Sequence, residues 1–493
     1  MGIETELSLS LTPGVASRLA RHPLLTDARP VRQRVINTYY DTPDLRLHRE
    51  RVVVHYRKKG ATWLSSVGRV ASSTSSTAGY GEWEIAGEPG GEQDFSHVGD
   101  SALRDWLDSL RQELRPAFTT TFTRSAWLLE PRDGVRIELA LDRGWIEAGG
   151  RRQAICELGL ELLSGGVADL FSAAGELQTE LPLHPETASK SQRGYRVLAD
   201  ESLQVVKAGP VEINPGMTAM AAFRAVALAC VRHLQSNEHG VCESDCPEFV
   251  HQARVAIRRL RSAIRIWKPL LPEDLVTSFD PRWQTLARQL GEARNWDVFR
   301  AETLPTLATA FPAAAEIACL SHYAEQRCAI NRQAASSALK SVDYSRLLLE
   351  FTAAVLGLAE GDARRVDAFA PRCLDKRAKQ VRQLAAEALG GDAATRHRLR
   401  VEYKRLRYAL EFFAPLFPGE CLREYHRSAS GLQEMLGRLN DLAVATELSD
   451  EGLPGEQGET IRRWLEVQSE SLLPALGNLL SHFNRQAVPW RNQ

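Results

Sequence analysis

Two textures of hydrophobic and polar positions divide the chain near residue 200. Ahead of that point, apolar and polar residues alternate in short runs: Ile3–Leu11, Arg34–Tyr40, Arg51–Arg57, Phe118–Leu128, Val135–Leu141 and Ala154–Leu162. Alternation rich in β-branched and aromatic residues predicts strands. Clusters of Gly, Ser and Pro separate them, notably Ser72–Gly81 and Gly87–Gly91. Helical spacing interrupts the pattern near Ser101–Leu114 and Val167–Leu177. An antiparallel sheet or barrel with a few helices follows. After Asp200 the apolar positions fall three and four apart to the end of the chain, which predicts an all-α part. Pro210 and Pro215 bracket a linker. The expected class is α+β in separate domains: residues 1–200, a linker over 201–212, and a helical domain over 213–493.

The helical part repeats itself. The segment HQARVAIRRLRSA begins at His251, and HRLRVEYKRLRYA begins at His397. At this offset Arg254 matches Arg400, Arg258 matches Lys404, Arg259 matches Arg405, and Arg261 matches Arg407. Apolar positions keep the register: Ile257, Leu260, Ile264 and Trp267 match Tyr403, Leu406, Leu410 and Phe413. Leu290-Gly291 matches Leu436-Gly437 further on. Two copies of one helical unit are expected, over about 213–345 and 355–493, related by a pseudo-twofold axis.

Within each copy the basic residues line one helical face. The first stripe is His251, Arg254, Arg258, Arg261 and Arg265, flanked by Arg259. The second is His397, Arg400, Lys404 and Arg407, flanked by Arg405. Cations one turn apart repel, at a cost of a few tenths of a kcal/mol per pair. Carboxylates of neighbouring helices could compensate, leaving a salt-bridged face. A long polyanion could do so instead, held in a groove between the two copies. Arginine suits the second reading, because its planar fork binds phosphate oxygens in pairs. A further cluster, Arg372, Lys376, Arg377, Lys379 and Arg382, either widens such a groove or decorates an exposed helix.

Overall charge adds no such bias. The 493 residues carry a formal net charge of −1, with 44% hydrophobic residues and no run long enough to span a bilayer. The first twenty residues lack the basic and apolar pattern of a signal peptide. Eight scattered cysteines do not form a disulfide framework, and the expected location is the cytoplasm. Cys242 and Cys246, near His239 and His251, have a workable zinc spacing. The second repeat has no counterpart, so unpaired thiols are expected there. No phosphate-loop, zinc-protease or serine-hydrolase motif occurs.

The duplicated pattern H-x2-R-x3-(R/K)-R-x-R resembles the CHAD domain, as do the Leu-Gly segments followed by Asn295-Asp297 and Asn440-Asp441. The resemblance spans about residues 213–493. It implies two four-helix bundles with pseudo-twofold symmetry and a basic groove that binds inorganic polyphosphate without a cofactor. On this reading the ligand-binding residues are His251, Arg254, Arg258, Arg259, Arg261, Arg265, His397, Arg400, Lys404, Arg405 and Arg407, with Lys376 and Lys379 at the edge. Attachment to polyphosphate granules follows from that partner and from no residue of the chain.

Residues 1–200 resemble the CYTH, or triphosphate tunnel, family. The resemblance rests on ETELSL at the start, NTYYDTP at Asn37–Pro43, FTRSAW at Phe122–Trp127, and SKSQRGY at Ser189–Tyr195. It implies an eight-stranded antiparallel barrel whose interior binds triphosphate. Carboxylates hold Mg or Mn on one side and cations neutralise phosphate on the other. Matching acidic positions are Glu4, Glu6, Glu138, Asp142, Glu157 and Glu161. Matching basic positions are Arg57, Arg124, Lys190 and Arg193. The departures are Ser8 at the motif lysine, His55 at the first arginine of the R-x-R strand, Gly68 at a lysine, Tyr80 at an arginine, and Gly159 at a glutamate. Each lost charge-assisted bond is worth about 1.5–3 kcal/mol. A degenerate tunnel without triphosphatase activity is therefore expected, beside a polyphosphate-binding helical domain. Two alternatives stand: a metal-dependent phosphohydrolase fed by that domain, and a less selective nucleic-acid binder, which the balanced charge disfavours.

Overall fold

The computed structural model describes residues 6–25, 29–60, 62–69, 81–87, 93–199, 203–312, 314–360, 364–388, 393–417, 419–486 and 488–491. It divides into two compact units. One is Met1–Gln204 with Ser341–Gly357; the other is Val205–Lys340 with Leu358–Gln493.

The first unit is built on one antiparallel sheet. Its strands are β1 (Glu6–Ser10), β2 (Val31–Asp41), β3 (Val52–Lys59), β4 (Thr62–Arg69), β5 (Gly81–Ala86), β6 (Arg115–Leu129), β7 (Arg136–Ala148), β8 (Arg151–Ser164) and β9 (His184–Pro185). Their order is β5-β4-β3-β2-β6-β7-β8-β1-β9. This differs from a closed eight-stranded barrel: there is a ninth strand, and among the described residues β5 and β9 do not pair. The ninth strand is two residues long and ends in Pro185, which has no N–H to extend a ladder. Five helices accompany the sheet: α1 (Pro13–Leu19), α2 (Arg46–Arg49), α3 (Ser101–Leu110), α4 (Val167–Glu180) and α5 (Lys190–Ala199).

The two faces of the sheet bury different cores. Leu9, Leu139, Leu141, Leu158 and Leu160 pack with Leu170, Ala174 and Leu177 of α4. On the other face Val35, Tyr39, Phe118, Phe122, Ile146 and Ile155 pack with Tyr195 of α5. Strand alternation puts Arg124 on the same face of β6 as Phe118 and Phe122. A Cβ on Gly194 would sit 2.1 Å from the Phe118 ring, so α5 presses directly onto that core.

The second unit is helical: α6 (Ala219–Glu243), α7 (Pro247–Trp267), α8 (Glu273–Val298), α9 (Leu304–Ala310) and α10 (Ala315–Leu339), then α12 (Val366–Ala388), α13 (Ala393–Phe413), α14 (Glu420–Gly452) and α15 (Glu459–Arg485). Helices α6, α7, α8 and α10 contact one another as one bundle, and α12, α13, α14 and α15 as a second. Helix α7 also packs on its repeat-mate α13. The mates Trp267 and Phe413 meet there with ring centroids 5.1 Å apart, as residues beside a pseudo-twofold axis should. Between the repeats, α11 (Val342–Leu356) belongs to the first unit, where it packs on α4 and β9.

Candidate functional site

A cleft of about 530 Å3 opens in the helical unit. Helix α7 contributes His251, Arg254 and Arg258; α8 contributes Arg294; α13 contributes Arg400 and Lys404; α14 contributes Arg438. Three carboxylates share the lining: Glu302 on a π-helical turn at Phe299–Thr303, and Glu434 and Asp441 on α14. Wide turns of this kind often mark functional positions, because they re-aim side chains.

None of these seven basic side chains has a carboxylate within ion-pair distance among the described residues. Their polar contacts are few: Arg254 donates to Asn295 Oδ1 at 3.3 Å, and Arg258 Nε donates to the Tyr408 hydroxyl at 3.1 Å. Burial and repulsion from neighbouring cations weaken the hold of Arg254, Lys404, His251 and Arg400 on their protons. Burial, then Arg258 and Arg400, bring Arg254 down to about 10. Burial, then Arg258, Arg400 and Arg254, bring Lys404 down to about 6. Burial, then Arg294, brings His251 down to about 4. Burial also lowers Arg400, partly offset by Asp441. Seven basic side chains against three carboxylates that form no ion pair with them leave the cleft lining net basic.

The structure splits the expected stripe. Its first half, His251, Arg254, Arg258, Arg400 and Lys404, meets in the cleft. Its second half turns inward to protein partners. Arg259 is buried against Glu411 at 2.7 Å and the Phe412 ring. Arg261 bonds Asp280 at 2.7 Å, and Arg265 faces the same carboxylate at 3.6 Å. Arg405 pairs with Glu402, and Arg407 with Glu411 at 3.6 Å. His397, Lys376 and Lys379 are exposed and do not line the cleft. Arg294 and Arg438 do line it, although the stripe contains neither. Their signal is the repeated Leu-Gly pair that each follows within four residues. The fixed repeat offset hides them, because it sets Arg294 against Asn440 and Arg438 against Glu292. Cys246 caps α7, and the cysteine thiols among the described residues are free.

In the barrel unit Arg124, Lys190 and Arg193 pair with Asp142 and Glu157. Arg124 donates two 2.8 Å bonds to Asp142, and Lys190 reaches Asp142 at 2.8 Å and also Glu157. Arg193 donates to Glu157 at 2.7 Å and to the Ala154 carbonyl. Asp142 is held below the usual carboxylate range against its burial, by Arg124 and Lys190. Glu138, Glu161 and Glu6 follow one another across β7, β8 and β1. Glu6 Oε1 leans over Gly159, where a Cβ would approach it to 2.9 Å. Glu4 lies outside the described residues, as does Tyr80. Ser8 stands opposite Gly159, and Gly68 opposite Val53. His55 is buried, lies over Tyr39, and is held neutral down to about 3 by burial and Arg57. Arg57 faces Asn37, and its Nε has no partner. Among the described residues no three acidic, histidine or cysteine side chains converge to hold a metal ion. Asp142 and Glu157 are committed to cations, which leaves Glu6, Glu138 and Glu161, side by side on β1, β7 and β8, as the described carboxylates that could hold a divalent metal. No described helix is long and apolar enough to cross a membrane.

Comparison with known proteins agrees with both units. Residues 2–195 match the CYTH domain and residues 225–450 the CHAD domain. An inorganic triphosphatase of Haemophilus influenzae is 31% identical over 202 residues, 39% of this chain and 54% of that one. The chain thus spans about half the length of that relative. The crystal structure of the CHAD domain from the plant Ricinus communis is 31% identical, with a TM-score of 0.51, covering 57% of this chain and 97% of that one. PptA from Streptomyces chartreusis is 14% identical, covering 56% and 99%, with a TM-score of 0.43. The chain belongs to the CHAD family, and its CHAD domain follows a CYTH domain.

Proposed function

We propose that the chain binds inorganic polyphosphate in the cleft of its CHAD domain. The observation that carries this reading is the contrast within one basic stripe. Its outer members are matched to Glu411, Asp280 and Glu402, while the cations that line the cleft have no ion-pair partner among the described residues. A chain carrying one charge per unit suits a cleft in which cations come from four helices. The balanced net charge of the chain disfavours nucleic acid. The location that goes with this ligand is the cytoplasm, at polyphosphate granules.

Hydrolysis of triphosphate in the barrel is the competing reading, and the printed name of the Haemophilus influenzae relative favours it. The charged layer speaks against it. Arg124, Lys190 and Arg193 would have to leave Asp142 and Glu157 before they could hold phosphate.

The test is titration of the full chain with long-chain polyphosphate, duplex DNA serving as competitor. Arg258→Ala combined with Arg400→Ala removes two charge-assisted contacts, each worth about 1.5–3 kcal/mol. Affinity should fall about a hundredfold or more, with the helical circular dichroism unchanged. Undiminished affinity in the folded double variant would sink the assignment.

A further inference from the structure

The two sides of the cleft are not equivalent. Arg258 has a permanently charged guanidinium, steadied by the Tyr408 hydroxyl. Its repeat-mate is Lys404, and the repeat-mate of Tyr408 is Ser262. Lys404 is the one lysine among the residues that line the cleft. Arg254 and Arg258 line the cleft with it from α7, Arg400 one turn earlier on its own helix, and Asp441 from α14; burial, then Arg258, Arg400 and Arg254, weaken its hold on a proton, against Asp441. Further groups on the same lining are His251 and Arg294, the cation Arg438, and the carboxylates Glu302 and Glu434. An ammonium group that shares a cleft with five arginines and one histidine, against three carboxylates, can relieve the repulsion by losing a proton.

We propose that Lys404 is a neutral amine in the empty cleft and becomes an ammonium when polyphosphate binds, so that capture of the ligand is coupled to uptake of a proton. This rests on the polyphosphate reading above. The proton moves from a buffer acid to the lone pair on Lys404 Nζ, and no covalent bond to the ligand forms. Internal phosphate units keep one charge each across this range, so the ligand neither supplies nor takes the proton.

The sign follows from linkage. The free protein binds a proton at Lys404 with a midpoint near 6. Bound phosphate oxygens favour the charged form and raise that midpoint. Between the two values the complex holds one more proton than the free protein. Affinity therefore falls as pH rises through that window, by up to about tenfold per pH unit. Below the free midpoint Lys404 is already charged, and its contribution is flat. His251 titrates near 4, so the uptake it adds belongs to the acid side.

The experiment is calorimetry of the full chain with long-chain inorganic polyphosphate at pH 7.5, in buffers of different ionisation enthalpy. Wild-type protein should take up close to one proton per bound site. Lys404→Arg keeps the charge but cannot release it, so it should bind without that uptake and with a flat pH profile. In parallel, NMR of lysine-labelled free protein follows the Lys404 resonance, assigned by its loss in Lys404→Arg. Its midpoint should lie near 6 and move upward on adding polyphosphate. Intact binding with the same proton count in Lys404→Arg, or a free midpoint at the ordinary lysine value, overturns the proton coupling alone. No binding at pH 6 or at pH 8 overturns the polyphosphate reading and the coupling with it.

Discussion

Arg258 and Arg259 are adjacent in sequence and sit in opposite environments. Arg258 lines the cleft without a carboxylate partner, whereas Arg259 is 2% exposed and bound to Glu411. Removing Arg259 takes the nearer cation from Glu411, leaving Arg407 at 3.6 Å, and empties space beside Phe412, so Arg259→Ala should cost about 3 kcal/mol of stability. Removing Arg258 relieves repulsion on Arg254, Arg400 and Lys404. Arg258→Ala should leave the unfolding midpoint in urea unchanged or raised. An equal loss in both variants would mean that the stripe is a structural salt-bridge array throughout. The sequence pattern cannot separate these two residues, because both copies carry a basic residue at each position. A rotation of about 100° per residue around the helix decides which of them meets a carboxylate. The partner that decides it, Glu411, lies on the facing helix α13, outside the basic positions of the repeat.

Elements were legible where their period was clean. The alternating runs Arg34–Tyr40, Phe118–Leu128, Val135–Leu141 and Ala154–Leu162 mark β2, β6, β7 and β8 in the sequence. β4 reads TWLSSVGR, in which Ser65, Ser66 and Gly68 break the apolar rhythm. It forms because β3 and β5 pair with it on both sides, which is tertiary support rather than local preference. Helix α11 was legible as a helix but not as part of the barrel unit. Its Leu349 joins Leu170, Leu177 and Leu181 in the outer core, with Ala353 and Leu356 packed against them. His184 on β9 makes a 2.7 Å hydrogen bond with Ser345 Oγ. Leu349→Ala should therefore cost roughly 3 kcal/mol, by lost burial and the cavity left behind. The cost should appear as faster hydrogen exchange at the backbone amides of β7 and β8. A fragment ending at residue 200 should unfold at lower urea than the barrel does within the full chain. Equal stability of that fragment would show that α11 adds nothing to the core it touches.

At the scale of the whole chain, a formal net charge of −1 leaves no long-range field to gather a polyanion. Any affinity has to come from uncompensated charge at short range, and the two units handle their charges in opposite ways. The CHAD domain leaves cations unmatched in a cleft. The CYTH domain matches Arg124, Lys190 and Arg193 to Asp142 and Glu157, next to an apolar core built on Phe118, Phe122 and Tyr195. Releasing those cations for triphosphate would break buried pairs and leave two carboxylates facing the incoming anion. Such a rearrangement costs several kcal/mol for each pair broken. Full-length protein given tripolyphosphate with Mg or Mn should consequently release no more inorganic phosphate than the Arg124→Ala, Lys190→Ala variant. The same wild-type sample should retain long-chain polyphosphate, with binding that weakens steeply as salt is raised, because the contacts are ionic. Phosphate release well above that of the double variant would show that the pairs in the barrel open for substrate. The charged layer would then be the resting state of an enzyme rather than a neutralised relic of a tunnel.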